Sequence, residues 1–309
     1  MSRPESNAVR EVACVGAGTV GGGWAAVFLA RGLDVRAWDP APDGEAKLRE
    51  TVASAWPAME HLGLAPGASQ DRLRWAASAE AAVDGADFVQ ESAPDDEPLK
   101  VALLERLDAA APRDTVIASS SSKFLPSRLA ARCKSAERVV IGHPFVPVYL
   151  VPLVEVVGGE HTSAEVMRWA CDFYTACGKK ALPLKREIEA YLANRLQQAV
   201  LAEAMSLVEK GVCDWDDVEE AVTYGPGYRW AVVGPMLHRH LGGGRGGVRH
   251  MIAHFGWKGP PGSEVEFIDA VERRWSGMSI ADLERWRDAR LLGMLDVFAS
   301  YPDPGKRSG

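Results

Sequence analysis

Short apolar runs alternate with longer stretches of helical period along the first half of the chain. Glu11–Val15 (EVACV) and Asp34–Trp38 (DVRAW) are too short for buried helices and read as strands. Residues 87–89, 115–118, 138–141 and 153–157 read the same way, and intervening stretches such as 99–110 read as helices. Strand and helix in alternation predict βαβ units and a mostly parallel sheet. The pattern changes near residue 186. From Glu187 onward no convincing strand is found, and Leu192, Leu196, Ala199, Val200, Ala204 and Leu207 recur at helical spacing. They predict a long helix over 191–210. A second is predicted over 279–297, with Ser279 as N-cap and Asp282 three residues on. The expected fold is an α/β domain over 1–186 followed by an all-helical domain over 187–309. The tail YPDPGKRSG is expected to be disordered.

Composition narrows the function. The chain has 309 residues, 47% hydrophobic and 25% charged, ordinary for a protein with a substantial core. A net charge of −7 speaks against a nucleic-acid partner, which would call for a basic face. Cys14, Cys133, Cys171, Cys177 and Cys213 are scattered without CxxC spacing, which suits reduced thiols in the cytoplasm better than a disulfide framework or a zinc site. The opening MSRPESNAVR has no apolar signal core, and no run approaches the ~20 residues of a spanning helix. No membrane partner is expected.

The strongest motif is Gly16-Ala17-Gly18-Thr19-Val20-Gly21, directly after the first strand and opening a helix. Gly16 permits a tight turn, Gly18 lets the backbone approach a pyrophosphate, and Gly21 allows helix to pack on sheet. Thr19 and Val20 begin the helix, whose free N–H groups and positive dipole end face the phosphates. Asp39 closes the second strand about 20 residues further on, placed to accept hydrogen bonds from a ribose and to repel the extra phosphate of NADP. The predicted cofactor is NAD.

His143 follows an apparent strand in Gly142-His143-Pro144-Phe145, and Glu155 lies in the next β-like run. Open α/β sheets place ligands at that carboxyl edge. Alcohol oxidation needs such a pair. Hydride leaves the carbinol carbon, a neutral imidazole accepts the hydroxyl proton, and a carboxylate orients the ring and stabilises the imidazolium.

The stretches VGAGTVGGGW, DVRAWDPAPDGEA, DFVQESAP, ASSSSKFLPS, GHPFVPVYLVPLVEVVGGE, GYRWAVVGP and SIADLERWRD resemble the 3-hydroxyacyl-CoA dehydrogenase superfamily over almost the whole chain. The resemblance implies an N-terminal Rossmann-type domain, a C-terminal helical dimerisation domain, and hence a homodimer. It makes His143 the general base, Glu155 its partner, and Ser122 the group that hydrogen-bonds the substrate oxygen. It puts Lys100 near the cofactor ribose, Asn194 in the site wall, and Arg229 where smaller hydroxy-acid members keep an arginine able to grip a carboxylate. Read without it, Ser122 is a capping serine, Lys100 a solvated charge, Asn194 a surface polar group and Arg229 half of a salt bridge.

Four departures from the family pattern stand out. Val146 replaces the asparagine of His-Pro-Phe-Asn-Pro. Glu189-Ala190-Tyr191 replaces Pro-Gly-Phe. Lys123 follows Ser122 where relatives carry a small residue, and Asp95 follows Pro94 where they often carry glutamate. The implied activity is NAD-dependent oxidation of a small anionic 3-hydroxy acid, carnitine among them, to the 3-keto acid. Lys123, Arg229 and Arg245 together would suit a more anionic substrate such as L-gulonate, a dicarboxylate or a hydroxy-phosphonate. A 3-hydroxyacyl-CoA ranks below these, and Val146 keeps open a non-catalytic NAD-binding protein of the crystallin type. The run Gly242 to Gly247 lacks the Gly-Lys-Ser/Thr ending of a phosphate loop and reads as a flexible connection near the substrate pocket. His238, His240, His250 and His254 lack a completing ligand, so no metal is predicted.

Overall fold

The computed structural model describes residues 4–301, and the tail from 302 lies outside the described residues. The strands are β1 (Glu11–Val15), β2 (Asp34–Trp38), β3 (Leu73–Trp75), β4 (Phe88–Glu91), β5 (Val116–Ser119), β6 (Val139–Pro144), β7 (Leu153–Gly158) and β8 (Lys180–Pro183). They form one sheet in the order β3-β2-β1-β4-β5-β6-β7-β8. Every pairing is parallel except β6 with β7. Helices α1 (Thr19–Ala30), α2 (Gly44–Leu62), α3 (Ala79–Val83), α4 (Glu97–Ala110), α5 (Pro126–Leu129) and α6 (Ala164–Ala176) connect them.

Period two divides the strands between two cores. Val12 and Cys14 face a cluster holding Trp24, Phe28, Phe88, Phe173 and Tyr174. Ala13 and Val15 face the other, with Leu104, Leu107, Ile117 and Ile141. Both faces of the sheet are covered, as a parallel sheet demands.

β3 and β8 were not among the expected strands. They are the two edges of the sheet. With one neighbour each they need little apolar content, and Leu73-Arg74-Trp75 and Lys180-Ala181-Leu182-Pro183 carry the charges and proline that edges tolerate.

After β8 the described elements are helical: α7 (Ala193–Glu209), α8 (Trp215–Tyr224), α9 (Pro226–Trp230), α10 (Pro235–Gly242), α11 (Gly247–Phe255), α12 (Glu264–Arg274) and α13 (Ile280–Ser300). The chain divides into two compact units, one up to Val200 and one from Leu201. The second packs around Val232, Val233, Leu237, Leu241 and Leu283. Ser279 caps α13 by accepting from the Asp282 amide at 3.1 Å.

The glycine run at 242–247 is a tight turn and not a loose tether. Gly242 ends α10, Gly244–Gly246 make a 3₁₀ turn, and Gly247 opens α11. His240 Nδ1 accepts from the Val248 amide at 3.2 Å, and His250 Nδ1 lies 2.9 Å from the Gly243 carbonyl oxygen. Two of the four histidines thus brace this corner. Among the described residues no helix is long and apolar enough to cross a membrane.

Candidate active site

The turn from β1 into α1 shows why glycines stand there. Gly16 has φ 107°, and a Cβ on it would lie 2.6 Å from the Ser92 carbonyl carbon. A Cβ on Gly21 would lie 1.9 Å from the Gly16 oxygen, whereas one on Gly18 meets nothing within 4 Å. The turn is closed behind and open in front. Gly18 caps α1 without a side-chain hydrogen bond, so first-turn N–H groups remain for an anion.

Asp39 follows β2 and holds this turn. Its Oδ2 accepts from the Ala17 amide and its Oδ1 from the Ala41 amide, both at 2.8 Å. Each oxygen keeps a lone pair for another donor. Two recesses meet at Asp39, Ala93 and Pro94. One, about 410 Å³, is lined by Trp38, Pro40, Leu99 and Leu103, surfaces suited to a flat base. The other, about 480 Å³, is lined by Gly18, Thr19, Val20, Ser122, His143 and Val146. A base recess, an amide-rich turn and a polar cleft in sequence fit an extended dinucleotide.

His143 stands opposite Glu155 in the antiparallel β6–β7 register, so both side chains rise on one face. His143 Nδ1 lies 2.9 Å from Glu155 Oε2. The other oxygen, Oε1, accepts from the Leu192 amide at 3.0 Å and the Ala193 amide at 2.9 Å, at the start of α7. Burial pushes the Glu155 carboxyl up. The bonds from His143 and from the Ala193 and Leu192 amides outweigh that and hold it below its ordinary value. An ionised carboxylate only accepts, so Nδ1 carries a ring proton and Nε2 is the ring nitrogen left to exchange a proton with a substrate.

Ser122 lines the same cleft, and its Oγ hydrogen-bonds the Asp95 carboxylate. Its amide donates to Asp95 Oδ2 at 3.2 Å. Asn194 Nδ2 donates to the Ser122 carbonyl at 3.1 Å, so this amide side chain holds the serine turn from behind.

Two expected contacts are corrected. Lys100, which the resemblance put near the ribose, is 1% exposed. Its Nζ reaches Glu91 Oε1 at 2.9 Å, Glu91 Oε2 at 3.1 Å and the Ala93 carbonyl at 2.9 Å. All three ammonium protons are committed, and Lys100 supports the cleft wall from behind. Lys123, expected at the substrate, is exposed, and its Nζ lies 4.9 Å from the Phe124 ring centroid. The lining of the cleft contains Asp39, Asp95 and His143 but neither Lys123 nor any other lysine or arginine.

Arg229 lies on α9 of the helical unit. Its Nε is buried without a hydrogen-bond partner. Arg245 is exposed in the 3₁₀ turn. Val146 is 59% exposed and borders the cleft with no polar group to offer. Glu91 was not singled out from sequence. Its one signal is a carboxylate closing the otherwise uncharged strand Phe88-Val89-Gln90-Glu91, which calls for a buried cation. Among the described residues no cluster of three His, Cys, Asp or Glu could hold a metal.

Comparison with known proteins agrees with this architecture. Residues 11–188 match the NAD binding domain of 3-hydroxyacyl-CoA dehydrogenase, and residues 191–274 match its C-terminal domain. An L-carnitine dehydrogenase of Streptomyces griseus subsp. griseus is 49% identical over 306 residues, covering 95% of this chain and 91% of the relative. One from Pseudomonas aeruginosa is 45% identical over 299 residues, 93% of each chain. A crystal structure of 5-formyl-3-hydroxy-2-methylpyridine 4-carboxylic acid 5-dehydrogenase, an NAD+-dependent dismutase, superposes with a TM-score of 0.74 at 28% identity. It covers 94% of this chain and 97% of that one. The glycine turn beside Asp39, the mostly parallel sheet and the helical second unit are therefore the parts of one inherited design, and the chain belongs to the 3-hydroxyacyl-CoA dehydrogenase family.

Proposed function

We propose that the chain oxidises L-carnitine at its secondary hydroxyl to the 3-keto acid, with NAD as hydride acceptor. The observation that carries the chemistry is the 2.9 Å contact of His143 Nδ1 with Glu155, in a cleft it shares with the glycine turn. Gly16, Gly18, Thr19, Val20, Gly21 and Asp39 hold the dinucleotide, within a cofactor domain spanning 1–186. Bound NAD supplies the hydride acceptor. His143 Nε2 takes the hydroxyl proton, Glu155 stabilises the imidazolium, and Ser122 contacts the reacting oxygen. Asn194 keeps Ser122 in place. Arg229 is assigned to the substrate carboxylate on the family resemblance alone.

The charge of the cleft supports carnitine over more anionic candidates. Beside Ser122 and His143 its lining offers the Asp95 carboxylate and no lysine or arginine, which suits a trimethylammonium group better than a second anionic group. Lys123 is turned to solvent, which removes the like-charge conflict. The near full-length similarity to L-carnitine dehydrogenases points the same way.

The helical domain over 187–309 is assigned to homodimerisation. On α7, Leu196, Val200, Leu201 and Met205 are 60%, 41%, 47% and 55% exposed, an apolar stripe that a second copy would cover. The unpaired cysteines suit the cytoplasm.

The test is NADH formation with L-carnitine, D-carnitine, L-gulonate, 3-hydroxybutyrate and a hydroxy-phosphonate at alkaline pH. Turnover of L-carnitine well above the rest is expected. Silence across the panel with intact NADH binding would replace this reading by the non-catalytic one.

A further inference from the structure

Residues 190–194 touch both halves of the candidate site. Three successive carbonyls of the serine turn are each held from this segment. The Ser122 carbonyl accepts from Asn194 Nδ2 at 3.1 Å, that of Lys123 from the Ala190 amide at 3.1 Å, and that of Phe124 from Tyr191 Oη at 2.7 Å. Two other amides of the same segment, those of Leu192 and Ala193, converge on Glu155 Oε1. The backbone is bent to do so. Ala190 and Tyr191 have φ 58° and 52°, a left-handed conformation unusual for residues other than glycine. Consecutive amides turned in this way form a concave anion seat. Tyr191 is fully buried, and its ring lies 5.2 Å from that of His143.

We infer that residues 190–194 are a strap fixing Ser122 relative to the His143–Glu155 pair, with Tyr191 a positioning residue acting through its hydroxyl. Relative to phenylalanine, a tyrosine here adds one oxygen, and that oxygen bonds the turn two residues from Ser122. An unheld turn would let the serine oxygen drift, and displacement near 1 Å is enough to slow a positioned reaction. The inference rests on the reading of Ser122 as the residue that contacts the substrate oxygen.

The experiment is a double-mutant cycle in the full-length protein with Tyr191→Phe, Ser122→Ala and both. Tyr191→Phe is expected to lower kcat about three- to tenfold, the worth of one hydrogen bond, with KM for NAD unchanged. In the Ser122→Ala background the same change should alter kcat less than about twofold, because the residue it acts through is gone. Equal losses in both backgrounds, or none in the first, overturn the strap alone. A wild-type rate for Ser122→Ala overturns the reading of Ser122 and the strap with it. Amide hydrogen exchange gives a readout independent of turnover. Tyr191→Phe should speed exchange in residues 121–125 and leave β1 unchanged, and unaltered exchange there overturns the strap.

Discussion

Glu155 faces His143 across the one antiparallel pairing of the described sheet, and both of its oxygens are occupied. Oε2 holds the imidazole and Oε1 holds the start of α7. The reversal of strand direction brings an acid on β7 level with a histidine on β6, and the helix entry then locks that acid in one orientation. Ring orientation is thus set by three elements, which is the rigidity a proton acceptor requires.

Replacing the imidazole should separate chemistry from binding. His143→Ala is expected to abolish NADH formation while the NADH dissociation constant, read by fluorescence titration, stays within about twofold of wild type. The glycine turn and Asp39 are left intact. Loss of cofactor affinity in that variant would contradict the proposed role.

Glu155→Gln turns an acceptor into a group whose amide faces Nδ1. The ring then favours the tautomer with its proton on Nε2, and kcat at neutral pH should fall ~10³–10⁴-fold, as carboxylate-to-amide changes behind a catalytic histidine do. Stability carries its own signature. The folded protein holds the Glu155 carboxyl below its ordinary value of 4.5, so the unfolded chain binds that proton more readily. The stabilisation is therefore complete above that value and lost as pH falls through the lower folded value. The excess Tm of wild type over Glu155→Gln should be constant near neutrality and shrink in acid. A gap that widens in acid would reverse the sign of the argument.

Lys100→Met strands the Glu91 carboxylate, which is 0% exposed and also bonded by Ser119 Oγ. Breaking a buried pair from one side costs about 3–5 kcal/mol. A marked fall in Tm is expected, and adding Glu91→Gln should restore most of it. If Lys100 served the cofactor directly, Lys100→Met would instead raise KM for NAD with Tm intact.

Asp39→Asn presents an amide to the Ala17 and Ala41 N–H groups that the carboxylate now accepts. Hydrogen bonds to a charged group are worth about 1.5–3 kcal/mol, so KM for NAD should rise roughly ten- to a hundredfold. The margin over NADP should narrow, because the repelling charge is gone. Parallel assays with the two cofactors check both effects.

Much of this molecule is written in contiguous windows. β1 and β2 occupy the expected Glu11–Val15 and Asp34–Trp38, the glycine turn lies between them, and Ser279 caps α13. Such features depend on local period, backbone freedom and capping chemistry, each legible within a few residues. The edge strands β3 and β8 were not, because short segments with one neighbour lack the apolar signature of central strands.

The sequence by itself determined that an α/β cofactor domain precedes a helical one, and which residue types gather at the carboxyl ends of the strands. Only the tertiary structure decided how they meet. It turned Lys100 inward onto Glu91 and Lys123 outward over Phe124, although the two read alike in sequence as polar lysines beside the site. It also brought residues 190–194 onto both Ser122 and Glu155. The reason is physical. Local preferences act between neighbours in the chain, whereas the direction of a side chain and the closing of a strap depend on register and packing between elements far apart in it.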